Sequence, residues 1–96
     1  MNLRIRRKAQ NEIIQITEYY SNIRSDLKTE FLVDLDAVVD LILKFPEGAP
    51  VVFKGFRKKL LLNFPYAIYY KTELNIVRIY AVIHERRNQS EWVEPE

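Results

Sequence analysis

Apolar and polar residues alternate over Leu3-Arg4-Ile5-Arg6, the period of a half-buried strand, and this predicts a short first strand. From Lys8 the period lengthens. Ala9, Ile13, Ile16, Tyr20 and Ile23 recur every three or four residues, which sets them on one face of a helix. Ser21-Asn22 and Ser25-Asp26 interrupt the pattern. Ser25 or Asp26 is expected to cap a second helix by accepting a hydrogen bond from an orphan amide of its first turn. In that helix Leu27, Phe31, Leu35, Val38, Ile42 and Phe45 form the apolar stripe, widened by Leu32, Val39 and Leu43, while Asp34, Asp36 and Asp40 read as a solvated face. Phe45-Pro46-Glu47-Gly48 ends the helix, because proline disfavours a helical conformation in the residue before it and glycine tolerates the turn. With only a few residues between them, the two helices are expected to pair as an antiparallel hairpin.

The second half of the chain changes period. Val51 to Lys54 is a short β-prone run, and Arg57 to Phe64 a longer one, with Lys58, Leu60, Leu62 and Phe64 on one side and Arg57, Lys59, Leu61 and Asn63 on the other. Pro65 marks a bend or an edge. Tyr66 to Lys71 and Ile76 to Ile83 form the clearest hairpin, joined through Thr72-Glu73-Leu74-Asn75. Strict alternation puts Val77, Ile79, Ala81 and Ile83 toward the core and Ile76, Arg78, Tyr80, Val82 and His84 on the other side. Strand, helix hairpin and then a run of antiparallel strands make an α+β domain with the helices on one face of the sheet. Residues 1–96 read as one domain, without repeat or linker. On the opposite face Arg57, Lys59, Arg78, His84 and Arg86 are expected to converge, an assignment that a shift of one residue in register would overturn.

Composition limits what such a domain does. The 96 residues are 48% hydrophobic and 29% charged, with two glycines and four prolines, a globular balance rather than a disordered one. There is no cysteine, which removes thiol catalysis, disulfides and thiolate zinc sites and is compatible with a reducing compartment. One histidine leaves almost no scope for a histidine-built metal site, so neither metal nor cofactor is expected. No apolar run approaches the roughly 20 residues that span a bilayer. The basic N-terminus leads into an amphipathic pattern rather than a signal core, so the expected location is the cytoplasm, with no membrane partner.

The net charge of +2 conceals segregation. Residues 1–25 carry five Lys or Arg against two Asp or Glu, residues 26–50 two against six, residues 51–90 eight against two, and residues 91–96 three Glu alone. An acidic or polyphosphate partner is expected to meet the third block, unless these charges simply solvate opposite faces of the domain.

Several strings in this order resemble the RelE/ParE superfamily of toxins from type II toxin–antitoxin modules, often called plasmid-stabilisation proteins. They are the opening strand running into Lys8-Ala9, the Leu-rich second helix ending at Phe45-Pro46-Glu47-Gly48, Arg57-Lys58-Lys59-Leu60-Leu61, Phe64-Pro65-Tyr66-Ala67-Ile68-Tyr69-Tyr70, and above all Ile79-Tyr80-Ala81-Val82-Ile83-His84-Glu85-Arg86-Arg87-Asn88. The resemblance spans nearly the whole chain. It implies a toxin restrained by a cognate antitoxin encoded beside it, acting in one of two ways. ParE-like members inhibit DNA gyrase; RelE-like members cut messenger RNA on the ribosome with basic residues of the open sheet face and often a C-terminal tyrosine or histidine.

Cleavage of RNA by its own 2′-hydroxyl needs a base, positive charge for the phosphate and a proton donor for the leaving oxygen. Under that reading the catalytic candidates are Arg57, Lys59, His84 and Arg86, with Arg57 suited to a bidentate phosphate contact and His84 able to titrate near neutrality. Nucleic-acid or partner contacts are expected at Arg57, Lys59, Arg78, Tyr80, Arg86 and Arg87. Tyr66, Tyr69, Tyr70 and Tyr80 could stack bases, although for the first three packing alone also explains aromatics in strands. A histidine at a strand end equally serves to hydrogen-bond a neighbour. No tyrosine follows Tyr80, and the tail from Asn88 is acidic with Trp92 in it, a departure from the RelE pattern. The ending Ile83-His84-Glu85-Arg86 is nearer to ParE-like members, and gyrase is the expected target.

Overall fold

The computed structural model describes residues 1–87. The expected acidic tail, Asn88 to Glu96 with Trp92, lies outside the described residues.

Strand β1 (Asn2–Ile5) leads into helix α1 (Arg7–Ile23) and helix α2 (Ser25–Lys44), followed by β2 (Val51–Phe53), β3 (Phe56–Leu60), β4 (Tyr66–Glu73) and β5 (Ile76–His84). The five strands form one sheet in the order β1-β5-β4-β3-β2. β1 runs parallel to β5 and the other pairs are antiparallel. The first strand therefore returns beside the last, as a parallel pair joined by a long crossover requires.

The helices cover one face of the sheet. Ala9 and Ile16 of α1 and Phe31, Leu35, Val38 and Ile42 of α2 bury against Ile68, Tyr70, Val77, Ile79 and Val82. Leu3 and Ile5 join this core from β1, as the opening alternation predicts. The two helices are separated by Arg24 alone, so the hairpin is tighter than its sequence suggests. Ser25 and Asp26 lie inside the first turn of α2, and the cap position falls on Arg24, which makes no side-chain capping bond. Asp26 instead places its negative charge in that first turn, favourable beside the positive end of the helix dipole. Four stripe residues, Ile23, Leu27, Leu32 and Phe45, stay outside the core. Ile23, 57% exposed, is the last residue of α1, and Phe45, 65% exposed, is the C-cap of α2 with non-helical dihedrals, so it leaves the stripe.

Asp34 is the clearest correction. Instead of facing water with Asp36 and Asp40 it is only 3% exposed. Its Oδ1 accepts a hydrogen bond from the Leu62 amide at 3.1 Å, and its Oδ2 accepts from the amides of Asn63 at 2.8 Å and Phe64 at 3.0 Å. These bonds draw the chain out of the sheet after Leu60. β3 is therefore shorter than the expected 57–64 run, and Phe64 turns in against Tyr20 and Phe31.

Turns set the register of the rest. Phe53 pairs with Phe56 across Lys54 and Gly55, whose φ values of +46° and +81° are those a two-residue primed hairpin turn demands. β4 and β5 run on to the pair Glu73–Ile76, so their loop is Leu74-Asn75 rather than four residues. Leu74 takes φ +56° there, unusual for a non-glycine residue.

A bulge breaks the expected alternation in β5. Tyr69 pairs with Ala81 and Tyr70 with Ile79, leaving Tyr80 without an opposite residue in β4. Val77 and Ile79 face the helices, but beyond the bulge so does Val82, while Ala81 and Ile83 join a second cluster with Phe56, Ala67 and Tyr69 on the far side. Ala81 and Ile83 are therefore not in the helix-side core with Val77 and Ile79. Strict two-residue parity fails because one residue was inserted into the count.

Candidate binding face

The sheet face turned from the helices is assembled by alternation from four strands. In β1 Leu3 and Ile5 point to the helices, which leaves Arg4 on the far face. In β5 Arg78 lies between Val77 and Ile79, and in β4 Lys71 follows the inward Tyr70. Arg4 is the register partner of Arg78, and Arg78 of Lys71. Three cations thus stand side by side across β1, β5 and β4. Like charges directly opposite one another destabilise a sheet. Among the described residues none of the three is in a salt bridge, and the five strands hold a single carboxylate, Glu73 at the hairpin tip.

Beside this row lies the aromatic cluster. The Arg6 guanidinium sits 4.9 Å from the Tyr80 ring centroid, and the Lys71 ammonium 4.3 Å from that of Phe56 and 5.8 Å from that of Tyr80. Phe56 and Tyr80 meet edge to face at 4.9 Å. Lys58 approaches Tyr69 at 5.8 Å. The ring faces that carry quadrupolar negative charge are thus engaged by cations. Tyr80 lies in this cluster by the same alternation that places Arg78, and two residues on, past the bulge, the Val82 N–H donates to Glu12 Oε1 of α1 at 3.0 Å. Glu12 Oε2 accepts from Lys8 Nζ at 2.7 Å, so one carboxylate ties α1 to the bulged strand.

The sequence-predicted site residues divide between the two faces. Arg78 and Tyr80 belong to the open face. Arg57 pairs with Tyr70 and Lys59 with Ile68, so both point to the helix side. Arg57 donates there to the carbonyl oxygens of Ala49 at 2.6 Å and Glu47 at 3.3 Å, fastening the segment after α2. Lys59 lines a groove of about 260 Å³ with Leu41, Ile42, Phe45 and Tyr70. His84, carried past the bulge, stacks edge-on against Tyr66 at 5.5 Å, away from Arg78. Arg86 and Arg87 are exposed in the turn after β5. The expected convergence of Arg57, Lys59, Arg78, His84 and Arg86 on one surface is therefore not found. The parity count fails beyond Tyr80, and it also places the outer side of β3 on the wrong face relative to β5.

The chemistry of His84 follows from its partner. The Arg86 amide donates to His84 Nδ1 at 3.1 Å, so Nδ1 carries a lone pair and the neutral ring holds its proton on Nε2. That nitrogen donates and does not accept in this tautomer. The tyrosines are packing residues. Tyr70 is fully buried with its hydroxyl donating to the Pro46 carbonyl at 2.9 Å, and Tyr69 is 2% exposed. Burial, with a hydrogen bond to Tyr20, holds the Tyr66 phenol well above its ordinary pKa, and burial likewise raises Tyr70. Arg4 and Lys71 were not among the expected site residues. The signal for Arg4 was present, since Leu3 and Ile5 already set its direction.

No protein-family model matches the chain, and no curated protein matches it. Among solved structures it is similar to a chain described as "Chromosomal ParDE TA system from P. aeruginosa", with a TM-score of 0.77 and 18% identity, over 88% of this chain and 95% of that one. At that identity the likeness is one of fold, and it bears out the α+β architecture of strand, helix hairpin and sheet.

Proposed function

We propose that the chain is the toxin of a type II toxin–antitoxin module, ParE-like, halting growth by interfering with DNA gyrase and neutralised by a cognate antitoxin. The observation that carries the reading is the shared fold with a chain of a ParDE system over 88% of the residues, in a sequence that also resembles the RelE/ParE superfamily along nearly its whole length and ParE-like members at Ile83-His84-Glu85-Arg86. The alternative, a RelE-like ribosome-dependent ribonuclease, draws on the same fold. Against it, Arg57 and Lys59 lie across the sheet from Arg78, and Arg57 Nη1 donates to two backbone carbonyls on that side. His84 also lies on the helix side beside Tyr66, away from Arg78, with its Nδ1 accepting from the Arg86 amide. A third reading, a non-toxic member that only binds its partner or nucleic acid, predicts normal growth on expression.

Pulse expression separates the three. Gyrase interference predicts a DNA-damage response while amino-acid incorporation continues during the first minutes. Immediate arrest of incorporation, abolished by Arg57→Ala or His84→Ala, would replace the gyrase reading with the nuclease one.

A further inference from the structure

Arg4, Arg78 and Lys71 occupy adjacent strands at one register level, so at the usual strand separation of about 4.8 Å the row spans about 10 Å perpendicular to the strands. Two features make it a site waiting for an anion rather than a solvated surface. The cations are aligned where mutual repulsion is greatest, and no carboxylate of the described residues pairs with them. The Lys71 ammonium is also held over Phe56, so its charge has a fixed position instead of being dispersed in solvent.

The neighbouring rings bear on what that anion is. A single-stranded nucleic acid would look for bare aromatic faces on which to stack. Here Phe56 is 7% and Tyr69 2% exposed, and the Tyr80 ring already carries Arg6. The face offers charge at a fixed spacing without a stacking platform. In an α-helix, residues i, i+3 or i+4, and i+7 share one face, and i to i+7 rises about 10 Å. That length equals the row.

We propose that Arg4, Arg78 and Lys71 form a docking row for the acidic face of a helical segment in the restraining partner protein, laid across β1, β5 and β4. The proposal rests on the toxin–antitoxin reading above. Guanidinium–carboxylate pairing would supply orientation through Arg4 and Arg78, and Lys71 would act as a point charge at the end of the row.

The test uses the full chain co-purified with the product of the adjacent open reading frame, with affinity measured by calorimetry at low and moderate salt. Arg4→Gln and Arg78→Gln are each expected to weaken the complex about fivefold at low salt and to flatten its salt dependence, the double variant more so. Lys28→Gln, on α2 and away from the sheet, is the control and leaves the affinity unchanged. Near-UV circular dichroism of each variant reports that the fold is retained. Unchanged affinity in both arginine variants, with a wild-type complex present, overturns the docking row while leaving the toxin–antitoxin reading intact. No complex with the wild-type chain overturns both. Two other occupants are outcomes of the same experiment. If a single-stranded oligonucleotide binds wild type and loses affinity in the arginine variants while the protein complex does not, the row serves nucleic acid and the proposal fails. If deleting residues 88–96 tightens the protein complex and removes the effect of the arginine variants, the row belongs to the chain's own acidic segment, and the proposal fails likewise.

Discussion

Replacing Asp34 by alanine removes the acceptor for three amides at once, those of Leu62, Asn63 and Phe64. A hydrogen bond to a charged acceptor contributes about 1.5–3 kcal/mol, so the simple sum is about 4.5–9 kcal/mol. That sum overstates the effect. Leu62 is 67% exposed and Asn63 is also exposed, so water can reach part of the freed segment, whereas Phe64 is packed among Tyr20 and Phe31 and its amide is harder to rehydrate. We expect Asp34→Ala to cost about 3–5 kcal/mol, a large share of the roughly 5–15 kcal/mol that holds a domain of this size together. Asp34→Asn keeps one oxygen but turns an NH₂ group toward amide donors, and is expected to cost about 2–3 kcal/mol. At about 4–8 °C per kcal/mol, the alanine variant melts at least about 12 °C lower. Urea unfolding followed by far-UV circular dichroism measures the loss, with Asp36→Asn and Asp40→Asn, both exposed, as controls expected within about 0.5 kcal/mol of wild type. If Asp34→Asn falls with those controls, the carboxylate does not hold the loop and the account of why β3 ends at Leu60 is wrong.

Other outcomes follow from the same geometry. Leu74 is 97% exposed at φ +56°, so Leu74→Gly relieves backbone strain without loss of packing and is expected to raise stability by about 0.5–1 kcal/mol in urea unfolding. Gly55→Ala at φ +81° is expected to lower it by about 1 kcal/mol or more. Glu12→Ala leaves the Val82 amide without its acceptor beside the bulge, and is expected to speed amide exchange at Val82 and to shift the Tyr80 ring resonances. The raised phenols of Tyr66 and Tyr70 set an alkaline limit. Above about pH 10 they ionise in the unfolded chain but stay protonated in the folded one, so the unfolded state binds fewer protons and stability falls as pH rises. Melting temperature is expected to drop between pH 9 and 11, and less steeply in Tyr66→Phe.

The two amphipathic stripes, the opening strand and the final hairpin were legible in the sequence because each is a local period of 3.6 or 2. Asp34 was legible too, though it was read otherwise. It stands three residues after Phe31 and four before Val38, in the middle of the buried stripe, and only its charge argued for solvent. Its partners, the amides of Leu62 to Phe64, are about 30 residues away in sequence, which no local pattern encodes. The bulge at Tyr80 was hidden for a related reason. An extra residue in an apolar strand leaves every neighbour apolar, and the pairing that reveals it, with Tyr69 and Tyr70, belongs to another strand. That one residue moved His84 to the helix side and Ala81 and Ile83 away from it, so the candidate site changed membership while the fold class did not.

The central claim is tested most directly by adding the purified chain to purified DNA gyrase and relaxed plasmid, with and without the product of the adjacent gene. The account predicts that supercoiling falls as the chain is added and returns when that partner is present in equal amount. Supercoiling unaffected at concentrations of the chain that arrest growth on expression would contradict it.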